Sequence, residues 1–121
     1  MKKTIFDSFA ERCETNGQLE ILYLLEHSDR RNRVTRGELV DKLHRSDRAI
    51  RIDIEKMREN GIFIAADMRQ AGYYLPRTYA DYIVFEDAYT GRALDILKNK
   101  NRMHRLANEL LSGQTRIGGI K

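Results

Sequence analysis

Arg45, Ser46, Arg48, Ala49, Arg51 and Ile52 lie close together in a stretch where Ile50, Ile54 and Met57 recur at spacings of four and three. That recurrence predicts a helix over residues 47–60 with one apolar stripe, and Gly61 follows as a C-terminal stop. Ile50, Ile54 and Met57 then face inward, which leaves Arg48, Arg51, Ile52 and Glu55 outward and Arg45 at the entrance. An outward guanidinium near a helix N-terminus can donate two N–H bonds to a guanine edge or meet a phosphate, which the helix dipole also favours. A bidentate arginine–guanine pair is worth about 1–3 kcal/mol of discrimination between bases. The Ser46 hydroxyl can cap the helix and can also bond a phosphate. Ile52 is an apolar residue on a face otherwise exposed to water. It fits either a thymine methyl group or a neighbouring element of the same protein.

Chemistry of this kind needs a scaffold that leaves one helix face free. Upstream, Ile5, Phe6, Phe9 and Cys13 are spaced as a short leading helix that stops at Asn16-Gly17. Leu19, Ile21, Leu22, Leu24 and Leu25 then crowd residues 18–27 with enough apolar surface for a substantially buried helix. Residues 28–34 are polar and rich in arginine, as a loop is. Thr35 and Glu38 have the spacing of a capping box, so a third helix starts there and buries Leu39, Val40 and Leu43. That helix ends within residues 44–46, and Ser46 caps the next one across a very short turn. After Gly61, the runs 62–65 and 72–75 flank a polar tip and are closed by Pro76, a pattern that predicts a two-stranded hairpin. Arg31, Arg33, Arg36 and Lys42 before the outward helix, and Arg69 at the hairpin tip, are the candidates for backbone phosphate contacts.

From about residue 79 the spacing turns helical again. Tyr82, Phe85, Tyr89, Ile96, Met103, Leu106 and Leu110 recur near a heptad interval, while Arg92 and Asn99 fall where the seam wants apolar residues. One long helix or a helical hairpin fits this pattern, and the stripe is a candidate dimerisation surface. The organisation read from the sequence is a leading helix over residues 1–17, a main domain over 18–77, a helical extension over 78–111 and a flexible tail over 112–121. The fold class is α+β, mainly helical: a winged helix-turn-helix with a two-stranded β-hairpin wing and a C-terminal helical extension.

Composition narrows the function further. The chain has 121 residues, of which 41% are hydrophobic and 33% charged, which describes one globular domain with an appendage. Its formal net charge of +4 fits a polyanionic partner, and the local concentration of arginine around one helix carries more weight than the total. A single cysteine, Cys13, rules out an internal disulfide and is read as an inert thiol. No apolar run reaches membrane-spanning length and no export leader is evident, so a cytoplasmic location is expected. His27, His44 and His104 are scattered without metal-ligand spacing, and no glycine-rich phosphate loop is present. No catalytic role, metal, cofactor or small-molecule ligand is expected.

The segment Ser46-Asp47-Arg48-Ala49-Ile50-Arg51-Ile52-Asp53-Ile54, followed by Met57, Asn60-Gly61-Ile62 and Gly72-Tyr73-Tyr74-Leu75-Pro76, resembles a known module. It is similar to the winged helix found in DeoR-type repressors and at the N-terminus of biotin-ligase repressors. The resemblance covers residues 33–76 and implies binding of double-stranded DNA, with a role in transcription regulation. Asp47 and Ile52 depart from it, standing where such modules often carry basic residues. Asp47 would repel phosphate or serve the helix N-terminus electrostatically. A small winged helix with a bare helical extension also resembles compact DNA-binding proteins of phages and mobile elements. The alternatives are therefore a winged-helix protein-interaction module and a replication or recombination accessory protein. If the extension pairs two copies, the DNA target is an inverted repeat.

Overall fold

Side-chain oxygens open the first four helices. The computed structural model describes residues 4–66 and 70–115, with backbone alone at 114 and 115. Along that chain run α1 (Ile5–Arg12), α2 (Asn16–Leu25), α3 (Arg36–Leu43), α4 (Asp47–Glu59) and α5 (Tyr79–Thr115). Thr4, Thr15, Thr35 and Ser46 accept from the backbone N–H of Asp7, Gln18, Glu38 and Ala49 respectively, each relieving one of the unpaired donors at a helix start. The expected capping box forms: Glu38 N–H donates to Thr35 Oγ1 at 3.1 Å and Thr35 N–H to Glu38 Oε1 at 2.9 Å. One boundary moves. Asn16-Gly17, expected as the break before the second helix, is its first turn, because Thr15 supplies the cap.

α3 ends at His44, whose left-handed backbone (φ 54°) reverses the chain sharply enough for Ser46 to begin α4 at once. α4 ends in a Schellman motif. Gly61, at φ +91°, donates to the Arg58 carbonyl and Ile62 to the Met57 carbonyl, while the Met57 and Ile62 side chains are both buried. Glycine adopts this left-handed position without a Cβ clash.

α2, α3 and α4 pack on one another and α1 packs on α2. Phe9, Ile21, Leu22, Leu25, Leu39, Ile50, Ile54, Met57, Ile62, Ile64 and Leu75 form the main core. Burying each of these side chains is worth about 1.5–3 kcal/mol before the cost of ordering it. The inward stripe read for α4 is thus buried, and the packing of α3 against it holds the turn in place.

The hairpin is a correction. Among the described residues there is no strand, only two isolated antiparallel bridges, Val34 with Tyr73 and Ala65 with Tyr74. Local hydrogen bonds explain why no ladder grows. Ile64 N–H turns back to the Ile62 carbonyl at 3.0 Å, a tight turn that takes this segment out of register. On the other side Leu75 N–H donates to Ser28 Oγ at 3.0 Å, so the backbone group that would extend the pairing is already satisfied. Ile62, Ile64, Ala65, Tyr74 and Leu75 are all buried, whereas a wing alternates between a packed and a wet face. Gly72 lies at φ +115°, and a Cβ there would come within 2.8 Å of Arg33 Cβ. Only glycine lets the chain pass this close to the loop before α3.

The chain divides into two compact units, Met1–Phe85 and Glu86–Lys121. The start of α5 belongs to the first, where Phe85 joins Ala65 and Tyr74 in a second core cluster with Phe63 and Tyr82 packed against it. Arg58 ties this region to the end of α4: its Nε and Nη2 donate to the Ile64 carbonyl at 2.9 and 2.8 Å, and its guanidinium lies 5.7 Å from the Phe85 ring centre. In the second unit the backbone remains helical through Gly91, so the extension is part of one helix and not a helical hairpin.

Candidate nucleic-acid interface

Ser46 sits at the exposed N-terminus of α4, with its hydroxyl accepting from Ala49 N–H at 3.1 Å. Arg48, Arg51, Ile52, Glu55, Lys56 and Glu59 line one open, shallow groove along the outer side of this helix. Arg48 is exposed, Arg51 retains 54% of its side-chain accessibility, and Ile52 is 45% exposed. Ala49 is half-buried. This face is basic in its first turns and carries Glu55 and Glu59 further along, so a polyanion is attracted to the N-terminal end, where the helix dipole acts in the same sense. Ile52 is thus partly open to water on the same groove as Arg48 and Arg51.

Asp47 sits between two arginines. Its Oδ2 lies 3.0 Å from Arg51 Nε and its Oδ1 lies 3.5 Å from Arg36 Nε. Arg36 reaches across from α3, and the pair to Arg51 spans one turn of α4. Exposed pairs like these contribute little to stability, about 0–1 kcal/mol each.

The remaining candidates separate by environment. Arg45, expected at the helix entrance, turns inward: its Nη2 meets Asp53 Oδ2 at 2.5 Å, with side chains 27% and 14% exposed. A guanidinium held there is committed to the scaffold. Arg33 is likewise engaged, donating from Nε to the Arg30 carbonyl and from Nη1 to the Gln70 carbonyl, both at 2.8 Å, with its guanidinium 4.5 Å from the Tyr74 ring centre. Arg31 and Lys42 are exposed, and Arg69 lies outside the described residues. Arg31 follows an Asx turn in which Asp29 Oδ1 accepts from Asn32 and Arg31 N–H, and these bonds hold the Asp29 carboxyl below its ordinary value.

Along α5, Tyr89, Ile96, Met103, Leu106 and Leu110 are exposed, as are Leu94, Leu97 and Leu111. Of the residues read from sequence as the same stripe, Phe85 is taken into the core and Tyr82 is half-buried, with its ring centre 5.2 Å from that of Phe63. The heptad spacing continues across them because the same helical period serves an internal core first and an exposed row afterwards.

Several structural residues were not evident from sequence. Asp53 pairs with a residue outside its own helix, and Ser28 is recruited by a backbone group far along the chain, so no local spacing announces either. The Asp47–Arg51 pair did carry a signal, the i,i+4 interval on one helix. Cys13 is half-buried, and burial raises its thiol pKa, which makes it a poor nucleophile. Among the described residues no three His, Cys, Asp or Glu side chains gather as a metal site.

With this geometry in place, comparison with known families matches residues 18–74 to a family model described as an HTH domain. It supports a helix-turn-helix DNA-binding module across α2, α3 and α4. Comparison with curated proteins and with solved structures gave no match. Among the described residues no helix is long and apolar enough to cross a membrane.

Proposed function

We propose that this chain is a sequence-specific, intracellular double-stranded DNA-binding protein, a small transcription regulator that places α4 in the major groove. The observation that carries the reading is the basic, solvent-facing N-terminal half of α4 inside a helix-turn-helix match. Arg48 and Arg51 address base edges, Ile52 meets a thymine methyl group, and Ser46, Arg36, Lys42 and Arg31 hold the backbone. The finer likeness to the modules of DeoR-type and biotin-ligase repressors rests on the order of residues 46–54, 57 and 60–62. The proposal includes no catalytic step.

The exposed row on α5 supports a homodimer, and two symmetry-related copies of α4 would then read an inverted repeat. In sedimentation the chain is expected to run as a dimer and its Ile96→Asp, Met103→Asp form as a monomer; a wild-type monomer would remove this part of the reading.

The DNA-binding part is tested by titrating mixed duplex DNA over a salt series with the native chain and an Arg48→Ala, Arg51→Ala variant. Losing two cationic contacts should make the slope of log K against log salt shallower by about two. Identical binding by both proteins would sink the assignment of α4. If neither bound duplex at low salt, the exposed row on α5 would favour a protein-docking module instead.

A further inference from the structure

Asp47 stands at the N-terminus of the helix assigned to the groove, where a carboxylate repels phosphates of every sequence alike. Yet both of its oxygens are directed at guanidiniums, Oδ2 at Arg51 and Oδ1 at Arg36. In each case the arginine atom that approaches is Nε. Among the described residues Arg51 makes no other hydrogen bond or ion pair. Its two terminal nitrogens therefore remain available, and these form the fork that can bond guanine O6 and N7 together.

We propose that Asp47 is a positioning residue for base readout: by holding Arg51 through Nε it aims Nη1 and Nη2 outward as a bidentate donor pair. This rests on the reading of α4 as the groove helix. A long, exposed arginine has many rotamers of similar energy, and any contact to DNA must first select one of them. The carboxylate makes that selection before the duplex arrives. Arg36, at 3.5 Å, is held more loosely and from α3, so its role is to keep the carboxylate itself in place. The two consequences have opposite signs. Repulsion of phosphate weakens binding to all sequences equally, whereas alignment of Arg51 strengthens binding only where a guanine is presented. The result is discrimination gained at some expense of general affinity.

The test uses the full chain with two duplexes: one selected by the wild-type protein from a random pool, and a scrambled duplex of the same composition. Asp47→Ala is expected to bind the scrambled duplex about threefold more tightly, with a salt slope steeper by about one, because one negative charge leaves the interface. Its preference for the selected duplex should fall by up to about fivefold, the most that pre-alignment by an exposed pair of this kind can supply. Arg51→Ala leaves the helix N-terminus intact and should lose at least as much preference, since the whole contact goes, and adding Asp47→Ala to it should cost no further preference. Melting curves for each variant separate this effect from unfolding. A preference in Asp47→Ala equal to or above the wild type would overturn the proposal, as would a wild-type protein that binds both duplexes equally. Failure of the parent reading looks different: the wild-type chain then binds neither duplex, even at low salt.

Discussion

Replacing Arg45 by alanine should destabilise the domain without touching the surface that meets DNA. The Asp53 carboxylate is only 14% exposed and its partner guanidinium approaches to 2.5 Å, so alanine leaves a largely buried charge with its counter-ion removed. Breaking a fully buried pair in this way costs about 3–5 kcal/mol, and the partial exposure of both groups brings the expectation here to about 2 kcal/mol. A domain of this size loses about 4–8 °C of melting temperature per kcal/mol, which places the Arg45→Ala shift at about 8–16 °C. The surroundings sharpen the estimate. Arg45 Nη1 is buried without a hydrogen-bond partner among the described residues, and a Cβ at Gly17 would approach it to 2.9 Å, so the guanidinium occupies a fitted slot with no room to move. Removing both charges should behave differently, because an apolar pair of similar volume is often neutral or stabilising in place of a buried ion pair. Thermal and urea denaturation of wild type, Arg45→Ala, Arg45→Met, Asp53→Leu and the Arg45→Met, Asp53→Leu double variant complete the comparison. The double variant should recover most of the loss and bind duplex DNA like the wild type. If Arg45→Ala costs under about 0.5 kcal/mol, or if the two single effects simply add, the pair is a solvated surface contact and the reasoning fails.

Two further outcomes follow from the same structure. Ser28→Ala should cost about 1–3 kcal/mol, because it leaves the buried Leu75 N–H without the hydroxyl that now accepts it, and urea denaturation would show this at unchanged m value. The Glu38 carboxyl is held below its ordinary value of 4.5 by the Thr35 N–H and then the Thr35 hydroxyl, so its contribution to stability is full above about that pH and is lost as pH falls through the lowered value. Glu38→Gln keeps an acceptor for Thr35 N–H but cannot titrate, so its melting temperature should fall less than the wild type's between pH 5 and 3; parallel curves would exclude the link. Asp29 acts in the same direction from its ordinary value of 3.8 and remains in both proteins.

Where the determinants are local in the chain, the amino-acid order alone was enough. The Thr35–Glu38 box, the Ser46 cap, the Ile50–Ile54–Met57 stripe and the Gly61 stop are interactions within one or two turns, and all of them form. These set the helix-turn-helix order and leave the basic half of α4 outward. Arg45 shows the limit: its charge places it among DNA-contacting residues until Asp53, one helix face away, claims it. The hairpin shows the same limit in the backbone, since β-rich composition cannot reveal that Ser28 will take the Leu75 N–H or that Ile64 will turn back on Ile62. Tyr82 and Phe85 share the period of Tyr89 and Ile96, but only packing against Phe63 and Tyr74 separates the covered part of that row from the exposed part. Helical periodicity and capping are encoded by neighbours in sequence, whereas the partner of a charged or polar group is decided by which distant groups compete for it once the core has closed.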